Sequence, residues 1–330
     1  MNPMDPVTAV SATRPFDLVT MGRIGVDLYP LQSHRVLAEV DSFSRSLGGS
    51  PTNVAVAAAR LGLRSAVVTK VGNDAFGEFA RSALERFGVA TRWVGTNPHL
   101  RTPITFCELH PPDSFPLLFY REPQAPDATL RFGEIEDDAI VAPAVLWTTG
   151  GALAVEPSRS ATLDALARRR ELNPRGVTVH DLDHRPGFWE PGEDPGELAR
   201  EALSFATVAV GNFDEVEMAV GTRDPRRAAE KLLALGVETA IVKRGADGVY
   251  ARTSDAEIDL PAVRLEVVNG LGAGDAFGGA LAYGIVSGLE LDAALRMANA
   301  SGSIVASRLA CADAMPELEE LLPFAGEVTA

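Results

Sequence analysis

Short apolar runs rich in β-branched residues alternate with helix-compatible runs along most of this 330-residue chain. The clearest strand-like runs are 145–149, 177–181 and 208–211. The clearest helix-like runs are 158–171, 195–205 and 224–235. Alternation of this kind is typical of a mostly parallel sheet with helices on both faces. The pattern therefore predicts an α/β fold built as a three-layer α/β/α sandwich.

Two segments interrupt the alternation. Residues 23–47 contain no good helix, and residues 91–121 hold three strand-like runs without a helix between them. These runs are Arg92–Thr96, Pro103–Leu109 and Phe115–Arg121. Consecutive strands without crossover helices favour antiparallel pairing. We predict one main domain at 15–330, a small β-sheet lid formed by about 23–47 and 91–124, and a disordered leader at 1–14. Two long loops on a single domain are the alternative to a lid.

The charge balance excludes some classes of partner. The chain has 45 acidic and 30 basic residues, a net charge of −15. Binding to nucleic acid or to an anionic membrane requires clustered Lys and Arg, so neither partner is expected. A small anionic substrate needs only a few local cations and stays compatible. No apolar stretch approaches the ~18 residues of a membrane span. Cys107 and Cys311 are far apart in the sequence, which suits a reducing, cytoplasmic location.

The stretch 265–284 has the strongest chemical signal. An apolar run, Leu265 to Val268, predicts a strand that leads into a glycine-rich turn, Asn269 to Gly274, with a helix starting at Ala276. Backbone N–H groups at such a turn can bind an anion. Asp275 beside the anion could act as a base. A tight turn without a ligand, with the Asp only capping the helix, is the alternative. The P-loop pattern GxxxxGK[ST] is absent.

A second glycine turn opens an earlier helix. Gly48 and Gly49 allow the backbone to approach a ligand, and Ser50 is predicted as the N-cap. Asn53 offers both a donor and an acceptor, which suits sugar hydroxyl groups. Asp27 follows the first strand and could accept hydrogen bonds from hydroxyls. Each of these residues also has a purely structural interpretation, as turn glycines, a cap or a surface carboxylate.

Two further sets of polar side chains follow strands. Asn212 and Glu215 stand at the carboxyl end of a strand, where they could hold a hydrated Mg²⁺ near phosphates or simply cap the next helix. Arg121 ends a lid strand, and Arg185 lies in the loop beyond residue 181. Guanidinium groups pair with carboxylates in a planar fork, so the two arginines together suit an acidic substrate. Two surface arginines with acidic partners are the alternative.

These motifs occur together, in order, in one known family. From about residue 16 to 316 the chain resembles the PfkB, or ribokinase-like, carbohydrate kinases. The resemblance rests on the motifs GGSPTN at 48–53, VGNDAFG at 71–77, NFDE at 212–215 and GAGD at 272–275. DLDHRPGFW at 181–189 resembles a segment of the kinases that act on keto-deoxy sugar acids. The resemblance implies a ribokinase-like fold and transfer of phosphate from ATP to the primary hydroxyl of a sugar acid.

The resemblance also implies a role for each matching residue. Asp275 would be the catalytic base, and N–H groups of Gly272, Ala273 and Gly274 would stabilise charge on the transferred phosphate. The sugar would contact Asp27, Gly48, Gly49 and Asn53, and its carboxylate would contact Arg121 and Arg185. Asn212 and Glu215 would organise Mg²⁺ and phosphate, with Mg²⁺ bound through water. The remaining nucleotide contacts would be Lys243, Gly245, Gly248 and Asn299.

Four questions stay open at this stage. Many members of the family carry an Asp shortly before GAGD that helps to bind a monovalent cation, but Asn269 stands in this region, so dependence on K⁺ is uncertain. The acceptor could instead be a neutral sugar or a nucleoside, although the paired arginines count against both. A non-catalytic sugar-binding regulator could share the fold. An open edge of the lid sheet could pair with a second copy of the chain.

Overall fold

The computed structural model describes residues 14–324. The leader predicted at 1–14 therefore falls outside the described residues, except for Arg14. The strands are β1 (Leu18–Met21), β2 (Gly25–Pro30), β3 (Phe43–Gly48), β4 (Ser65–Gly72), β5 (Val94–Asn97), β6 (Ile104–Cys107), β7 (Leu117–Tyr120), β8 (Val145–Thr149), β9 (Val177–Asp181), β10 (Val208–Asn212), β11 (Thr239–Lys243), β12 (Val249–Arg252) and β13 (Glu257–Leu260). The α-helices are α1 (Ser50–Arg60), α2 (Ala75–Arg86), α3 (Asp137–Ile140), α4 (Ser158–Leu172), α5 (Pro195–Leu203), α6 (Phe213–Val220), α7 (Pro225–Ala234), α8 (Ala273–Val286), α9 (Leu291–Ala306) and α10 (Leu318–Leu321).

Nine strands form one large sheet in the order β13-β12-β11-β10-β9-β8-β1-β4-β5. Every pair from β5 across to β11 is parallel, and β12 and β13 add an antiparallel edge. The chain runs from β1 outward to β5 and later returns to place β8 on the other side of β1. Ligands bind at such reversals in open α/β sheets, beyond the carboxyl ends of the strands. The fold predicted from the alternation is confirmed.

Alternate residues of each central strand face opposite layers, so the sheet separates two cores. Leu18 and Trp147 pack against α1, α8 and α9 on one face. Val19 and Leu146 pack against α3 and α4 on the other face. Helices α6 and α7 extend this second layer over β10 and β11. The helices α1 and α8 lie side by side beneath the reversal, which brings their first turns together.

A second sheet of four strands has the order β3-β2-β6-β7. Its strands lie within the segments predicted to form the lid. One part of that prediction is wrong: the run at 92–96 is β5, which pairs in parallel with β4 in the large sheet. Strands β2 and β6 also pair in parallel, because the long excursion through β3 to β5 separates them. Only β2–β3 and β6–β7 show the antiparallel pairing that the sequence suggested.

Two other local predictions need correction. The run 265–268 is not a strand; it is irregular, and Leu265 and Val268 are 43% and 39% exposed. Instead of joining the sheet, Val268 and Asn269 donate their N–H groups to the carbonyl of Ala306 at the end of α9. Ser50 is the first residue of α1 rather than its cap, since Gly49 occupies the N-cap with φ of 102°. Strands β11 and β12 pair as an antiparallel hairpin.

Candidate active site

The predicted site residues gather at the carboxyl edge of the large sheet. Asp27 lies past the end of β1, Asp183 and Arg185 past β9, and Lys243 ends β11. The first turns of α1 and α8 open onto the same edge, and the small sheet lies beside it. A cavity of about 60 Å³ occupies this place, and we call it the acceptor cavity. Its lining includes Arg23, Asp27, Asn53, Arg185, Gly272 and Asp275.

Asp275 lies in the first turn of α8 but does not cap it. The N-cap is Gly272, with φ of 82°, and it makes no side-chain capping bond. The Asp275 carboxylate instead accepts a hydrogen bond from Nδ2 of Asn53 at 2.9 Å. Burial raises the pKa of Asp275 to about 6, although the hydrogen bond from Asn53 opposes the shift. Asp275 is thus a half-buried carboxylate that can hold a proton near neutral pH.

Asn53 connects the two glycine turns. Its donor atom is used by Asp275, while its buried Oδ1 has no hydrogen-bond partner among residues 14–324. An unpaired buried acceptor is costly and points to a missing donor. A hydroxyl group of a bound ligand would supply that donor next to Asp275.

The start of α8 also offers an anion site. The first N–H groups of a helix have no partner within it, and Gly272, Ala273 and Gly274 occupy these positions. The Lys243 ammonium lies close by, because a Cβ placed on Gly274 would be 3.5 Å from Nζ. At Gly272 a Cβ would lie only 2.5 Å from Sγ of Cys311, so the glycine lets this loop pack closely. Helix dipole and ammonium together favour a phosphate here.

The Asp27 carboxylate depends on a neighbouring glycine. A Cβ on Gly48 would lie 2.1 Å from Oδ1 of Asp27, so β2 and β3 can pair here only because Gly48 has no side chain. Burial raises the pKa of Asp27 to about 6, against the attraction of Arg23. The hydroxyl of Tyr29 donates to Asp27 at 3.3 Å. Asp27 and Asp275 therefore face one cavity as two carboxyl groups of raised pKa.

The two predicted arginines do not share a cavity. Arg185 lines the acceptor cavity and pairs with Asp183 at 3.0 Å. Arg121 pairs with the buried Asp127 at 2.5 Å and lines a separate, larger cavity of about 200 Å³, which we call the side cavity. The acidic partners that the alternative interpretation required are thus present for both arginines. Arg185 alone of the pair reaches the acceptor cavity.

Asn212 and Glu215 form a capping box at the start of α6. Oδ1 of Asn212 accepts the N–H groups of Asp214 and Glu215, and Glu215 accepts the N–H of Asn212 at 2.6 Å. Asn212 therefore caps α6, which was one of the two interpretations of the sequence. The cap uses only its Oδ1, so the side-chain NH2 group can still donate to a ligand. Burial raises the pKa of Glu215 to about 7, and Lys243 lies 3.9 Å from its carboxylate.

Lys243 partly neutralises the acidic groups near Glu215. A metal cation bound here would therefore take most of its ligands from groups other than Glu215. Asp181 is also buried, and Lys243 lies 3.2 Å from it. Burial raises the pKa of Asp181, while Lys243 lowers it. Within residues 14–324 no cluster of three or more His, Cys, Asp or Glu side chains could hold a metal. The carboxylates of Asp181 and Glu215 are oxygen ligands of the kind that bind hydrated Mg²⁺.

The other predicted nucleotide residues lie near the end of the sheet. Gly245 and Gly248 flank the β11–β12 turn with positive φ angles of 58° and 91°. Asn299, on α9, donates to the carbonyl of Pro261 at 2.7 Å. Asn269 is fully buried, and its amide donates to Leu309 and accepts from Leu271. The loop before GAGD is thus held by a neutral side chain whose polar atoms are already bonded.

Sequence reasoning missed several residues of the site. Arg23 and Asp183 form a buried ion pair of 2.6 Å. Tyr29, Thr105 and Cys311 also line the acceptor cavity. Arg23 follows the carboxyl end of β1, where α/β sheets bind ligands. This position was the signal by which the sequence could have identified it. No helix within residues 14–324 is long and apolar enough to span a membrane.

Comparisons with known proteins give one consistent result. The model of the pfkB family of carbohydrate kinases matches residues 16–318. A 5-dehydro-2-deoxygluconokinase of Bacillus thuringiensis subsp. konkukian (strain 97-27) is 32% identical over 333 residues, which cover 98% of this chain and 98% of that protein.

Solved structures agree on the fold. A fructokinase double mutant of Vibrio cholerae, with bound fructose, ADP and potassium ion, is 26% identical with a TM-score of 0.83, covering 95% of this chain and 99% of that one. A ribokinase II of E. coli in complex with ATP and Mg²⁺ is 22% identical with a TM-score of 0.83, covering 94% and 98%.

Proposed function

This chain belongs to the pfkB family of carbohydrate kinases, and we propose that it transfers the γ-phosphate of ATP to the primary hydroxyl of 5-dehydro-2-deoxygluconate. The substrate is the one in the name of a relative that matches this chain over nearly its whole length. The family supports a phosphotransferase that acts on a sugar hydroxyl. The nearest alternative acceptor is 2-keto-3-deoxygluconate, followed by ribose, fructose or a nucleoside.

The observation that carries this proposal is the arrangement around Asp275. A half-buried carboxylate of raised pKa lies within the first turn of a helix that opens toward Lys243. In the proposed reaction Asp275 accepts the proton of the acceptor hydroxyl while that oxygen forms its bond to the γ-phosphorus and the bond to ADP breaks. The N–H groups of Gly272, Ala273 and Gly274 stabilise charge on the transferred group.

The remaining site residues bind and orient. Asp27, Asn53 and the close backbone at Gly48 and Gly49 hold the sugar hydroxyls, and Arg185 faces the carboxylate. Lys243, Gly245, Gly248 and Asn299 flank the nucleotide. Asn212 and Glu215 would hold Mg²⁺ through its water ligands. Mg²⁺ supplies charge neutralisation between the β- and γ-phosphates.

The decisive test replaces the proposed base. Asp275→Asn removes the proton acceptor but keeps the size of the side chain, so we expect turnover to fall by orders of magnitude while nucleotide binding persists. ADP release and ATP binding by calorimetry measure the two effects. Asp255→Asn, on an exposed turn between β12 and β13, is the matched control and should match the unmodified protein. Near-normal turnover in Asp275→Asn would eliminate the base assignment.

A substrate panel separates the candidate activities. ADP release is measured with 5-dehydro-2-deoxygluconate, 2-keto-3-deoxygluconate, fructose and ribose, each with and without K⁺. We expect the first acid to give the highest kcat/KM. Because Asn269 is neutral and its amide atoms are engaged, we also expect little dependence on K⁺. Ligand-induced thermal stabilisation without ADP release for any sugar would favour a binding regulator instead.

The small sheet supports a homodimer as part of the proposal. Its edge strand β7 exposes Leu118 by 47% and Tyr120 by 60%. Phe106 packs edge-on against both Phe43 and Tyr120 across this sheet, which makes an aromatic surface. An apolar edge strand is a template for pairing with another strand. A second copy of the chain would cover it.

A further inference from the structure

The acceptor cavity and the side cavity meet at one residue. Arg23 lines both, and within residues 14–324 no other side chain does. The acceptor cavity, at about 60 Å³, has room for only about five water molecules, whereas a six-carbon sugar acid has about twelve non-hydrogen atoms. An acceptor whose reacting hydroxyl lies at Asp275 therefore extends to the border of the cavity. Arg23 stands at that border.

Arg23 is held in place by an unusual neighbour. Its guanidinium donates to Oδ2 of Asp183 at 2.6 Å, while Arg185 pairs with Oδ1 of the same carboxylate at 3.0 Å. Asp183 has a φ of 25°, a strained conformation for a residue other than glycine. Such strain persists only where surrounding contacts enforce it, and it is concentrated at functional sites. The carboxylate of this strained residue, Asp183, thus aligns two guanidinium groups at one cavity.

The two guanidinium groups share one carboxylate. Arg23 and Arg185 both pair with Asp183, while Asp27 faces Arg23, and the carboxylates of Asp275 and Glu215 act on Arg185 from further away. Arg23 and Arg185 are the cationic side chains in the lining of the acceptor cavity. An anionic group of the ligand would find donors of opposite charge at these two guanidinium groups.

Arg23 also keeps unused donors. Its Nε is buried and has no hydrogen-bond partner among the described residues. Gly151 leaves the space that Arg23 occupies, since a Cβ there would lie 2.7 Å from Nε. Arg23 and Arg121 each stack 5.2 Å from the ring centre of Phe188. Phe188 and the Arg121–Asp127 pair thus form the wall beyond Arg23, and Arg121 is already neutralised.

We propose that Arg23, with Arg185, binds the carboxylate of the acceptor and selects sugar acids over neutral sugars. This inference rests on the proposed function, because it places the reacting hydroxyl at Asp275. It assigns to Arg23 the position that the sequence had given to Arg121. Arg121 acts instead on the side-cavity wall, through Asp127, whose other oxygen accepts the N–H of Ile24 next to Arg23.

The test compares an acid with its uncharged counterpart. Steady-state kinetics are measured with 5-dehydro-2-deoxygluconate and with its primary amide, which is neutral but nearly identical in shape. Arg23→Met should raise KM for the acid about ten- to a hundredfold, the value of a hydrogen bond to a charged group. KM for the amide should change less than about threefold, since the amide offers no charge to pair. The acid selectivity of the unmodified protein should disappear.

Two further arginines make the comparison specific. Arg159→Met is the matched control: Arg159 also pairs with an acid, Glu193, and packs on Trp189, but it lines neither cavity. It should leave both KM values unchanged. Arg121→Met is the competing arm. If it raises KM for the acid selectively and Arg23→Met does not, the proposal is overturned.

A second variant tests the proposal in case Arg23→Met does not fold. Gly151→Ala keeps the charge of Arg23 but forces it to move, so it should also raise KM for the acid more than for the amide. Melting temperatures show which variants are folded, and an unselective or absent effect in the folded ones contradicts the proposal. If the unmodified protein phosphorylates no sugar acid, the proposed function fails and this inference fails with it. If it does so and Arg23→Met keeps its KM, only the inference falls.

Discussion

At the scale of single residues, burial sets the chemistry of the carboxyl groups. The pKa of Asp27 and that of Asp275 are both raised to about 6, and the pKa of Glu215 is raised to about 7. In each case loss of hydration is the largest cause, because the charged form loses more than the neutral form. Asp183 is equally enclosed, but Arg23 and Arg185 lower its pKa. The same residue type can thus hold a proton near neutral pH at one position and stay ionised at another.

The raised pKa of Asp275 has a measurable consequence for activity. A base acts only when it is ionised, so kcat should fall as the pH drops through about 6, rather than near the ordinary Asp value of about 3.9. Asn53→Ala removes a hydrogen bond that favours the ionised form, so it should move this limb to higher pH. Profiles of kcat between pH 5 and 8 at saturating substrate measure both.

The pKa of Glu215 lies in the same range, so an acidic limb alone does not show which group controls kcat. A shift of the limb in Asn53→Ala would identify Asp275 as that group. Asp255→Asn serves as the control and should leave the profile in place. A limb that stays where it was when Asn53 is replaced would mean that another group controls the reaction.

At the scale of single elements, helix ends combine structural and proposed functional roles. Gly49 caps α1 and Gly272 caps α8, and neither provides a side-chain acceptor. Within the described part of the chain, the N-caps of these two helices therefore leave the first N–H groups without a side-chain cap, and Gly49, Ser50 and Gly272 line the acceptor cavity. Helix α6 differs, because Asn212 satisfies its first N–H groups. The N-termini of α1 and α8 are thus open to an anion, whereas the N-terminus of α6 is stabilised by its own capping residues.

Asn212 offers a test of both roles. Asn212→Ala should cost about 1 kcal/mol of stability through loss of the cap, whereas Asn212→Ser should keep most of it. Both variants lose the amide group, so both should raise KM for MgATP if Asn212 organises phosphate. Urea unfolding and ADP-release kinetics give the two quantities. Asp224→Ser, at the cap of α7, controls for a cap change away from the site. A normal KM in Asn212→Ser would leave Asn212 as a cap alone.

At the scale of the whole molecule, two sheets meet over one site. The large sheet and its helices contribute the proposed nucleotide and base positions, and the small sheet contributes Asp27 and Thr105 to the acceptor cavity. Phe119 of β7 packs edge-on against Phe188 at 4.8 Å, which ties the small sheet to the loop beyond β9. Asp183, which pairs with Arg23, and Arg185 lie in that same loop. Closure around a substrate would exclude water, which otherwise competes as a phosphate acceptor.

The exposed edge of the small sheet predicts the oligomeric state. Light scattering after size exclusion should give twice the chain mass of 34.9 kDa. Leu118→Lys places a charge on the apolar edge and should shift the protein toward 34.9 kDa, since edge charges oppose strand pairing. Leu172→Lys, at an exposed helix end, is the control and should not change the mass. A monomer before any substitution would contradict the homodimer.

Much of the fold could be predicted because its signals are local. The bounds predicted for β8 and β9 agree with the structure, and α7 lies within the helix-like run predicted at 224–235, with Asp224 as its cap. The positive φ angles of Gly62, Gly88 and Gly236 follow helix ends, as expected for glycine stops. The errors arose where local signals compete. The apolar run at 265–268 has strand-like composition but no neighbouring strand to pair with, and β5 looked like a lid strand although β4 was its partner.

The sequence by itself determined the α/β class, the family and the residue types available for phosphate transfer, because periodicity, turns and ordered motifs are properties of neighbouring residues. The tertiary structure alone decided which charges meet. Arg23 and Asp183 are 160 positions apart, and Asn53 and Asp275 are 222 apart. No local pattern records such a pairing. Folding brings these side chains to one edge of the sheet, and burial there sets their partners and their pKa values.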